Sequence, residues 1–311
     1  MSKKTLIVGT RGSSLALWQA EHVIERLRTV EPHLDLRLKT IKTHGDLVRD
    51  RALSQVGGKG LFVKEIETAL LTSEIDLAVH SLKDMPTEQL DGLALGAILE
   101  RADARDALVF GGRQQDLAEL PRGARVGTSS LRRRAQLLSQ RPDLQILDLR
   151  GNVDTRLRKL QSGDYEAVVL AAAGLLRLGY ADAIGQYLPP DLMLPAVGQG
   201  ALCVEVRADD DATCSLLAPL DHTPTRQAIS AERAFLHCLE GGCQVPIGAY
   251  GEVDGDQLHL RGLVASLDGT RLVGDEIRGP AASPMSLGTE LAERVLASGG
   301  AAILDGVRHG S

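Results

Sequence analysis

One local pattern limits the folds open to this chain: a short apolar strand, a turn of small residues and then a helix. The first copy is TLIVGTRGSSLALWQAEHVIERLRTV at residues 5–30, and a second is ARVGTSSLRRRAQLLSQ at residues 124–140. In the first copy Leu6–Val8 is the predicted strand, and Ser13 or Ser14 is the predicted N-cap of the helix. Similar units occur in QILDLRGNVDTRLRKLQ and AVVLAAAGLLRLG. Together these units predict an α/β fold with open sheets.

The last quarter of the chain has a different pattern. ISAERAFLHCLEGG predicts a helix that ends at Gly241 and Gly242. Three strand-like runs follow, separated by Asp-Gly turns at residues 254–255 and 268–269. One last helix, from about Ser283 to Ser298, is expected to end at Gly299-Gly300. This order predicts a small C-terminal α+β domain with an antiparallel sheet of three strands.

Composition argues against several classes of protein. A chain of 311 residues has room for two or three domains, and no apolar run is long enough to span a bilayer. The N-terminus lacks the apolar stretch of a signal peptide, so we expect a cytoplasmic protein without membrane attachment. The net charge of −6 argues against a general binder of polyanions. The four cysteines form no C-x-x-C or zinc-like spacing, so neither disulfides nor a metal site are expected.

Arginines are concentrated where predicted strands end. Those that follow a strand directly are Arg11, Arg132, Arg133, Arg150 and Arg156, with Arg177 on the helix after another strand. Ligands of open α/β sheets bind at this edge, and guanidinium groups are well shaped for carboxylate and phosphate. Arg132 and Arg133 stand in a first helical turn, where each opposes the helix dipole by about 0.3–1 kcal/mol. A solvated basic surface is the alternative, but the placement favours an anion site.

A second group of polar residues follows the predicted strand at residues 75–80. His80, Ser81, Lys83 and Asp84 lie at or just beyond its carboxyl end. Asp84 is a candidate acid–base or cation-stabilising carboxylate, although an Asp beside a Lys is commonly a solvated surface pair. The glycine-rich segment THGDLVRDRALSQVGGKGLF, which contains Lys59, is predicted to be either a mobile loop over a site or an ordinary surface loop.

The turn LEGGCQVP at residues 239–246 leaves the role of Cys243 open. The thiol follows a helix C-terminus, whose negative dipole end does not lower a thiol pKa. No helix begins directly after it, as a nucleophile elbow requires. From the residues alone, a free structural cysteine ranks ahead of an attachment site for a bulky adduct, for which the flanking glycines would leave room.

Long motifs in a fixed order make the chain resemble the porphobilinogen deaminase family, also called hydroxymethylbilane synthases. The motifs are GTRGSSLALWQA, VGGKGLFVKEIE, DLAVHSLKDMPT, VGTSSLRRRAQL, LRGNVDTRLRKL, LPAVGQGAL and LEGGCQVPIGAY. The resemblance covers nearly the whole chain and implies two doubly wound lobes similar to type II periplasmic-binding-protein domains. It implies a first lobe of residues 1–99 with 200–217, a second lobe of 100–199, and a C-terminal α+β domain of 218–311.

The resemblance also implies a set of site residues. In this family a cysteine in a GGC turn carries a dipyrromethane cofactor through a thioether, which places the attachment on Cys243. The aspartate of the HS-x-KD motif is catalytic, which places that role on Asp84. The implied residues around the cofactor and substrate are Arg11, Ser13, Lys59, Ser81, Lys83, Thr128, Ser130, Arg132, Arg133, Arg150, Arg156, Arg177 and Gln199.

The implied reaction is a transfer that builds a tetrapyrrole. Four porphobilinogen molecules lose ammonia and join head to tail on the cofactor, and water then releases hydroxymethylbilane. The family expectation is a monomer whose partner is this small-molecule substrate, with no nucleic acid and no membrane. The alternatives are an anion-binding protein without catalysis and a nucleic-acid binder using Arg132, Arg133 and Arg134. The acidic total and the 3% aromatic content argue against nucleic-acid binding.

Overall fold

A computed structural model describes residues 5–47, 63–113, 116–239 and 245–309. The strands are β1 (Thr5–Thr10), β2 (Asp35–Thr40), β3 (Leu77–Ser81), β4 (Leu93–Ile98), β5 (Asp106–Phe110), β6 (Arg125–Gly127), β7 (Gln145–Leu147), β8 (Ala167–Ala171), β9 (Gln186–Leu188), β10 (Leu202–Arg207), β11 (Ile247–Asp254), β12 (Gln257–Ala265) and β13 (Leu272–Pro280). The helices are α1 (Ser14–Val30), α2 (His44–Leu47), α3 (Lys64–Leu71), α4 (Leu131–Gln140), α5 (Val153–Gln161), α6 (Ala172–Arg177), α7 (Asp211–Leu217), α8 (Thr223–Cys238), α9 (Pro284–Val295) and α10 (Ala301–His309).

Two five-stranded sheets share one topology. Their strand orders are β2-β1-β3-β10-β4 and β7-β6-β8-β5-β9. In each sheet a single strand, β10 or β5, runs antiparallel to both of its neighbours. The strands that carry the repeated turns pair in parallel, β1 with β2 and β3, and β6 with β7 and β8. The predicted α/β architecture with two lobes is therefore confirmed.

Helix caps fix where the turns after the strands end. Ser13 caps α1 by accepting a hydrogen bond from the backbone N–H of Ala16 at 3.3 Å, as the sequence predicts. Ser130 caps α4, and Asn152 caps α5 with a bond of 2.9 Å from the N–H of Thr155. Such caps satisfy N–H groups that the first helical turn leaves without partners. Each helix therefore begins within a few residues of its strand and presents its first turn at the carboxyl edge of the sheet.

The chain crosses between the lobes twice, in an outgoing segment of residues 99–105 and a returning segment of residues 189–201, and two glycines let these segments touch. The N–H of Ala102 donates to the carbonyl of Gly200 at 3.2 Å, which joins the outgoing segment to the returning one. Gly200 has φ +89°, and a Cβ there would lie 2.7 Å from the Ala102 carbonyl oxygen. Gly198 has φ +72°, and its Cβ would lie 2.2 Å from a methyl group of Leu82. Any larger residue would separate the crossing segments from each other and from the turn after β3.

The C-terminal part forms the predicted antiparallel sheet, in the order β11-β12-β13, with α8 and α9 packed against it around Phe235. Gly255 and Gly269 take positive φ in the two hairpin turns, as the Asp-Gly pairs predict. The prediction of one last helix ending at Gly299-Gly300 is wrong. Gly299, at φ +109°, bends the chain within a wide turn at Leu296–Gly300, and α10 continues beyond it. The predicted domain boundaries stay a prediction.

A buried glutamate connects this C-terminal part to both crossing segments. Glu232 on α8 has no exposed surface and forms an ion pair with Arg101 of the outgoing segment. It also accepts the N–H of Gly198 at 2.8 Å and the N–H of Gly251 on β11 at 2.9 Å. One carboxylate thus holds three segments, and removing it would leave buried donors without partners. In the part of the chain that is described, no helix is both long and apolar enough to cross a membrane.

Candidate active site

Four predicted site residues of the first lobe line a small cavity at the carboxyl ends of β1 and β3. The cavity has a volume of about 60 Å³ and is lined by Arg11, Ser13, Gln19, Ser81 and Asp84, among others. A larger cavity of about 760 Å³ lies on the second lobe, between α5 and residues 180–185. It contains none of the predicted site residues, so its size does not make it the better candidate. The small cavity marks the first-lobe side of a cleft that faces the second lobe.

Asp84 has an exposed carboxylate at the carboxyl end of β3. It ends a short 3₁₀ turn, Leu82–Asp84, that directly follows β3. Its side chain accepts no hydrogen bond and forms no ion pair with any residue in the described ranges. Burial lowers the pKa of Arg156, on α5 of the second lobe, to about 10, and the Asp84 charge opposes that shift. Asp84 is therefore close enough to interact with the charges of the opposite lobe while its oxygens remain available.

Ser13 and Ser81 are both engaged within the protein. The hydroxyl oxygen of Ser13 caps α1. The hydroxyl of Ser81 and the side-chain amide of Gln19 form hydrogen bonds with each other at 2.9 and 3.2 Å. Gln19 is a site residue that sequence reasoning missed. The signal was a polar side chain on the core-facing stripe of α1, between Ala16 and Val23, where an amide needs a specific partner.

Arg132 and Arg133 converge on a carboxylate that was not predicted, Asp106 at the start of β5. Arg132 Nη1 lies 2.7 Å from Asp106 Oδ2 and 2.7 Å from the Leu194 carbonyl oxygen. Arg133 donates from Nε at 2.9 Å and from Nη2 at 2.7 Å to Asp106 Oδ1. Gln199 Nε2 donates to the same oxygen at 2.9 Å. We call Asp106, Arg132, Arg133 and Gln199 the Asp106 centre.

The Asp106 centre carries more positive than negative charge. Burial alone would raise the pKa of Asp106, but Arg132 and Arg133 hold it well below its usual range, so the carboxylate is ionised. Two guanidinium groups against one carboxylate leave one positive charge. The sequence predicted an external anion at this helix N-terminus, and the protein itself supplies one. The remaining charge keeps the centre attractive to a further anion.

Lys83 adds a cation beside this centre. Burial, together with the charges of Arg133 and Arg132, lowers the pKa of Lys83 to about 8, and the charges of Asp84 and Asp106 oppose this shift. Its ammonium makes no hydrogen bond or ion pair with any residue that the structure describes. Lys83 is therefore mostly protonated at pH 7 and holds a charge that an anionic ligand would stabilise.

The other predicted residues of the second lobe also lie at its carboxyl edge. Thr128 accepts the N–H of Ser130 at 3.2 Å, so both side chains shape the turn before α4. Arg156 Nε donates to the Gly151 carbonyl at 2.8 Å, and Arg150 is partly buried just after β7. Thr128, Ser130, Arg150 and Arg156 therefore all lie in turns or helices that follow strands of the second lobe, and their roles at the site stay a prediction.

Arg177 lies where the two lobes meet. Its Nη2 donates to the Gly200 carbonyl of the returning segment at 2.8 Å, and its guanidinium carbon is 5.7 Å from the centroid of the Trp18 ring on α1. Burial lowers its pKa to about 10. Two predicted residues, Lys59 and Cys243, lie outside the described residues, and so does most of the glycine-rich segment before β3.

These features define a two-lobed α/β protein with a cationic cleft and an available carboxylate, and comparisons with known proteins identify its family. The family model "Porphobilinogen deaminase, dipyromethane cofactor binding domain" matches residues 6–215, and "Porphobilinogen deaminase, C-terminal domain" matches residues 226–297. The chain therefore belongs to the porphobilinogen deaminase family.

Curated relatives with that name match over almost their full length. The one from Geobacter metallireducens is 55% identical over 98% of this chain and 95% of its own. Those from Trichlorobacter lovleyi and Brevibacillus brevis are 54% and 53% identical, over 99% and 96% of this chain and 98% and 96% of theirs.

Solved structures of solute-binding proteins are more distant. A TRAP periplasmic solute binding protein from Desulfovibrio salexigens is 10% identical over 71% of this chain and 73% of its own, with a TM-score of 0.44. The periplasmic aliphatic sulphonate binding protein SsuA from Escherichia coli is 13% identical over 77% and 71%, with a TM-score of 0.39.

Proposed function

We propose that this protein is a porphobilinogen deaminase. It would join four porphobilinogen molecules head to tail on a covalently held dipyrromethane and release hydroxymethylbilane by hydrolysis. The observation that carries the proposal is the match of both family models, which together span most of residues 6–297 and include Asp84 and the Asp106 centre. The enzyme is then an ammonia-releasing transferase of tetrapyrrole (porphyrin and heme) biosynthesis.

The side chains of the cleft fit a group that bears acetate and propionate arms. Arg132 Nε and Gln199 Oε1 are buried without a hydrogen-bond partner among the described residues, which is costly unless a ligand or water meets them. The Asp106 centre of the second lobe and Lys83 of the first lobe lie close together and hold surplus positive charge. Dipyrromethane, bound through a thioether to Cys243, would supply the free pyrrole carbon to which the first porphobilinogen unit is joined. We propose that Arg132, Arg133 and Lys83 hold its carboxylates.

Asp84 is proposed to act on the charge of the reacting pyrrole. Positive charge develops on the pyrrole nitrogen of porphobilinogen as ammonia leaves. A fixed carboxylate beside that nitrogen stabilises the charge and can accept and return its proton. Because Asp84 has no partner among the described residues, its oxygens need not leave another bond to do this. The remaining cationic residues, including Arg11, Arg150, Arg156 and Arg177, are proposed to bind the carboxylates of the substrate and the growing chain.

Intact-protein mass and product analysis test the proposal together. We expect purified protein to exceed its sequence mass by one dipyrromethane, to consume porphobilinogen and to release ammonia and hydroxymethylbilane. Active protein of unmodified mass would exclude the covalent cofactor. Binding of porphobilinogen without release of ammonia would favour the alternative of an anion-binding protein without catalysis. We further propose a cytoplasmic monomer that binds neither nucleic acid nor membranes.

The lowered pKa of Lys83 predicts how substrate binding depends on pH. The ammonium loses its proton as pH rises through about 8, so a carboxylate bound to it loses a charged partner above that pH. We expect the KM for porphobilinogen to rise by up to about fivefold from pH 8 to pH 9, since the protonated fraction of a group with a pKa of about 8 falls from about one half to about one tenth over that range. Lys83→Arg, which stays charged, should flatten the rise.

Two further observations check the assignment to Lys83. Lys39→Arg is the matched control and should leave the pH profile unchanged. Lys39 lies on β2 and forms an exposed ion pair with Glu74. Without ligand, the fold disfavours the charged amine, so its stability should increase as pH rises from about 8 towards 10.5, the ordinary lysine value. A KM that rises equally in wild type and Lys83→Arg would assign the titration to another group.

A further inference from the structure

Asp106 occupies an unusual position for an acidic residue. It begins β5, has no exposed surface, and lies directly after the outgoing segment between the lobes. Its two oxygens accept hydrogen bonds from three side chains that come from two other parts of the chain: Arg132 and Arg133 on α4, and Gln199 on the returning segment. A buried carboxylate of this kind fixes the direction of every donor that it holds.

The bonds to Asp106 use only part of each donor group. Arg132 contributes Nη1 to Asp106 and to the Leu194 carbonyl, which leaves its buried Nε without a partner among the described residues. Gln199 contributes Nε2 to Asp106 and to the Ala104 carbonyl at 2.7 Å, which leaves its buried Oε1 without one. Asp106 therefore holds these groups in place while other polar atoms on the same side chains remain available.

Asp106 also sets the charge of the centre. Without it, Arg132, Arg133 and Lys83 would place three cations together, and each would disfavour the others. With it, two positive charges remain when Lys83 is protonated. A pyrrole that carries one acetate and one propionate has two negative charges, so its arms would neutralise the centre. The internal carboxylate thus matches the charge of the Asp106 centre and Lys83 to one pyrrole unit.

We propose that Asp106 is a positioning residue of the enzyme, which orients Arg132 and Arg133 to hold the carboxylates of a pyrrole unit and balances their charge. This inference rests on the proposed function. Asp106 itself touches no reacting atom; it acts through the two arginines. Its role is distinct from that of Asp84, which faces the cleft directly.

Asp106→Asn removes the charge and keeps the shape. Because the arginines would lose the charged acceptor that directs them, the KM for porphobilinogen should rise about tenfold or more. The kcat of the molecules that carry the dipyrromethane should change less than the KM. The fraction that carries it, measured by intact mass after incubation with porphobilinogen, should fall severalfold. Asp103→Asn is the matched control, since Asp103 pairs with Arg105 at 2.6 Å near the surface of the same segment.

The pH profile separates positioning from a merely structural role. The charges that face Lys83 are those of Arg133, Asp84, Asp106 and Arg132. Removing the Asp106 charge leaves the ammonium less stabilised, so the alkaline rise in KM should begin at lower pH in Asp106→Asn than in wild type. A purely structural defect would lower the melting temperature without changing the pH at which the KM begins to rise.

Asp106→Glu provides a second variant if Asp106→Asn does not fold. This variant keeps the charge but displaces the carboxylate by one methylene, and we expect it to be soluble. Its KM should lie between those of wild type and Asp106→Asn. If Asp106→Asn does not fold, the KM of Asp106→Glu should be at least threefold above that of wild type. A wild-type KM and pH profile in whichever variant folds would overturn the proposal. Failure of the proposed function would look different, because the wild-type protein itself would then be inactive and carry no added mass.

Discussion

Replacing Asp84 with asparagine is expected to lower kcat by about 10²–10³-fold, the usual effect of removing a group that stabilises developing charge in an active site. The amide has the size and shape of the carboxylate but no negative charge. It cannot stabilise a cationic pyrrole nitrogen or carry its proton. The folded state should be little affected, because Asp84 is exposed and bonds to no other described residue. Rapid-quench measurement of ammonia release in the first turnover would report the step directly.

The covalent mass increment shows whether Asp84→Asn is impaired in attaching the cofactor or in turnover. If Asp84 acts in turnover and not in attachment, Asp84→Asn should carry the same added mass as wild type while releasing ammonia far more slowly. Asp91→Asn is the matched control, since Asp91 is another exposed acid of the first lobe that lines no described cavity of the site. Full activity in Asp84→Asn, or an equal loss in Asp91→Asn, would remove Asp84 from the proposed role.

The architecture was predictable because local signals agreed with the fold. Small-residue turns after apolar strands, with Ser13 and Ser130 as caps, indicate where each helix begins and hence which residues reach the carboxyl edge. The Asp-Gly pairs likewise predicted both hairpins of the C-terminal sheet. The last helices were less predictable. Gly299-Gly300 is a normal stop signal, and only the packing of α10 residues such as Ile303 and Leu304 into the core makes the chain continue as a helix.

The Asp106 centre shows what local signals could not give. Asp106 stands at the start of DALVF, where it resembles the polar end of an ordinary strand. Its partner Arg133 is 27 positions away and Gln199 is 93 positions away, so their meeting depends on how the two crossing segments pack. The close approach permitted by Gly198 and Gly200 is equally a tertiary feature. The sequence therefore predicted cations at this edge but not the carboxylate that holds them.

The second large effect is expected at Cys243, which lies outside the described residues. The three cysteines that the structure describes are poor candidates for attachment, because burial raises the thiol pKa of Cys203, Cys214 and Cys238 and so reduces the reactive thiolate. We expect Cys243→Ser to lose the whole covalent mass increment and all turnover, since a serine hydroxyl is a far weaker nucleophile. Cys238→Ser, five positions earlier at the end of α8, should keep both.

Loss of the attached group should also reach the fold through the charge of the cleft. Arg132, Arg133 and Lys83 exceed the negative charge of Asp106, so carboxylates held against them stabilise the folded state but not the unfolded chain. Cys243→Ser should therefore melt several degrees below wild type, with the difference shrinking at high salt as counterions screen the cations. Cys238→Ser, which keeps the carboxylates in the cleft, should show no such salt dependence. A mass increment that remained in Cys243→Ser would exclude attachment at Cys243, and equal melting of the two variants would exclude its electrostatic consequence.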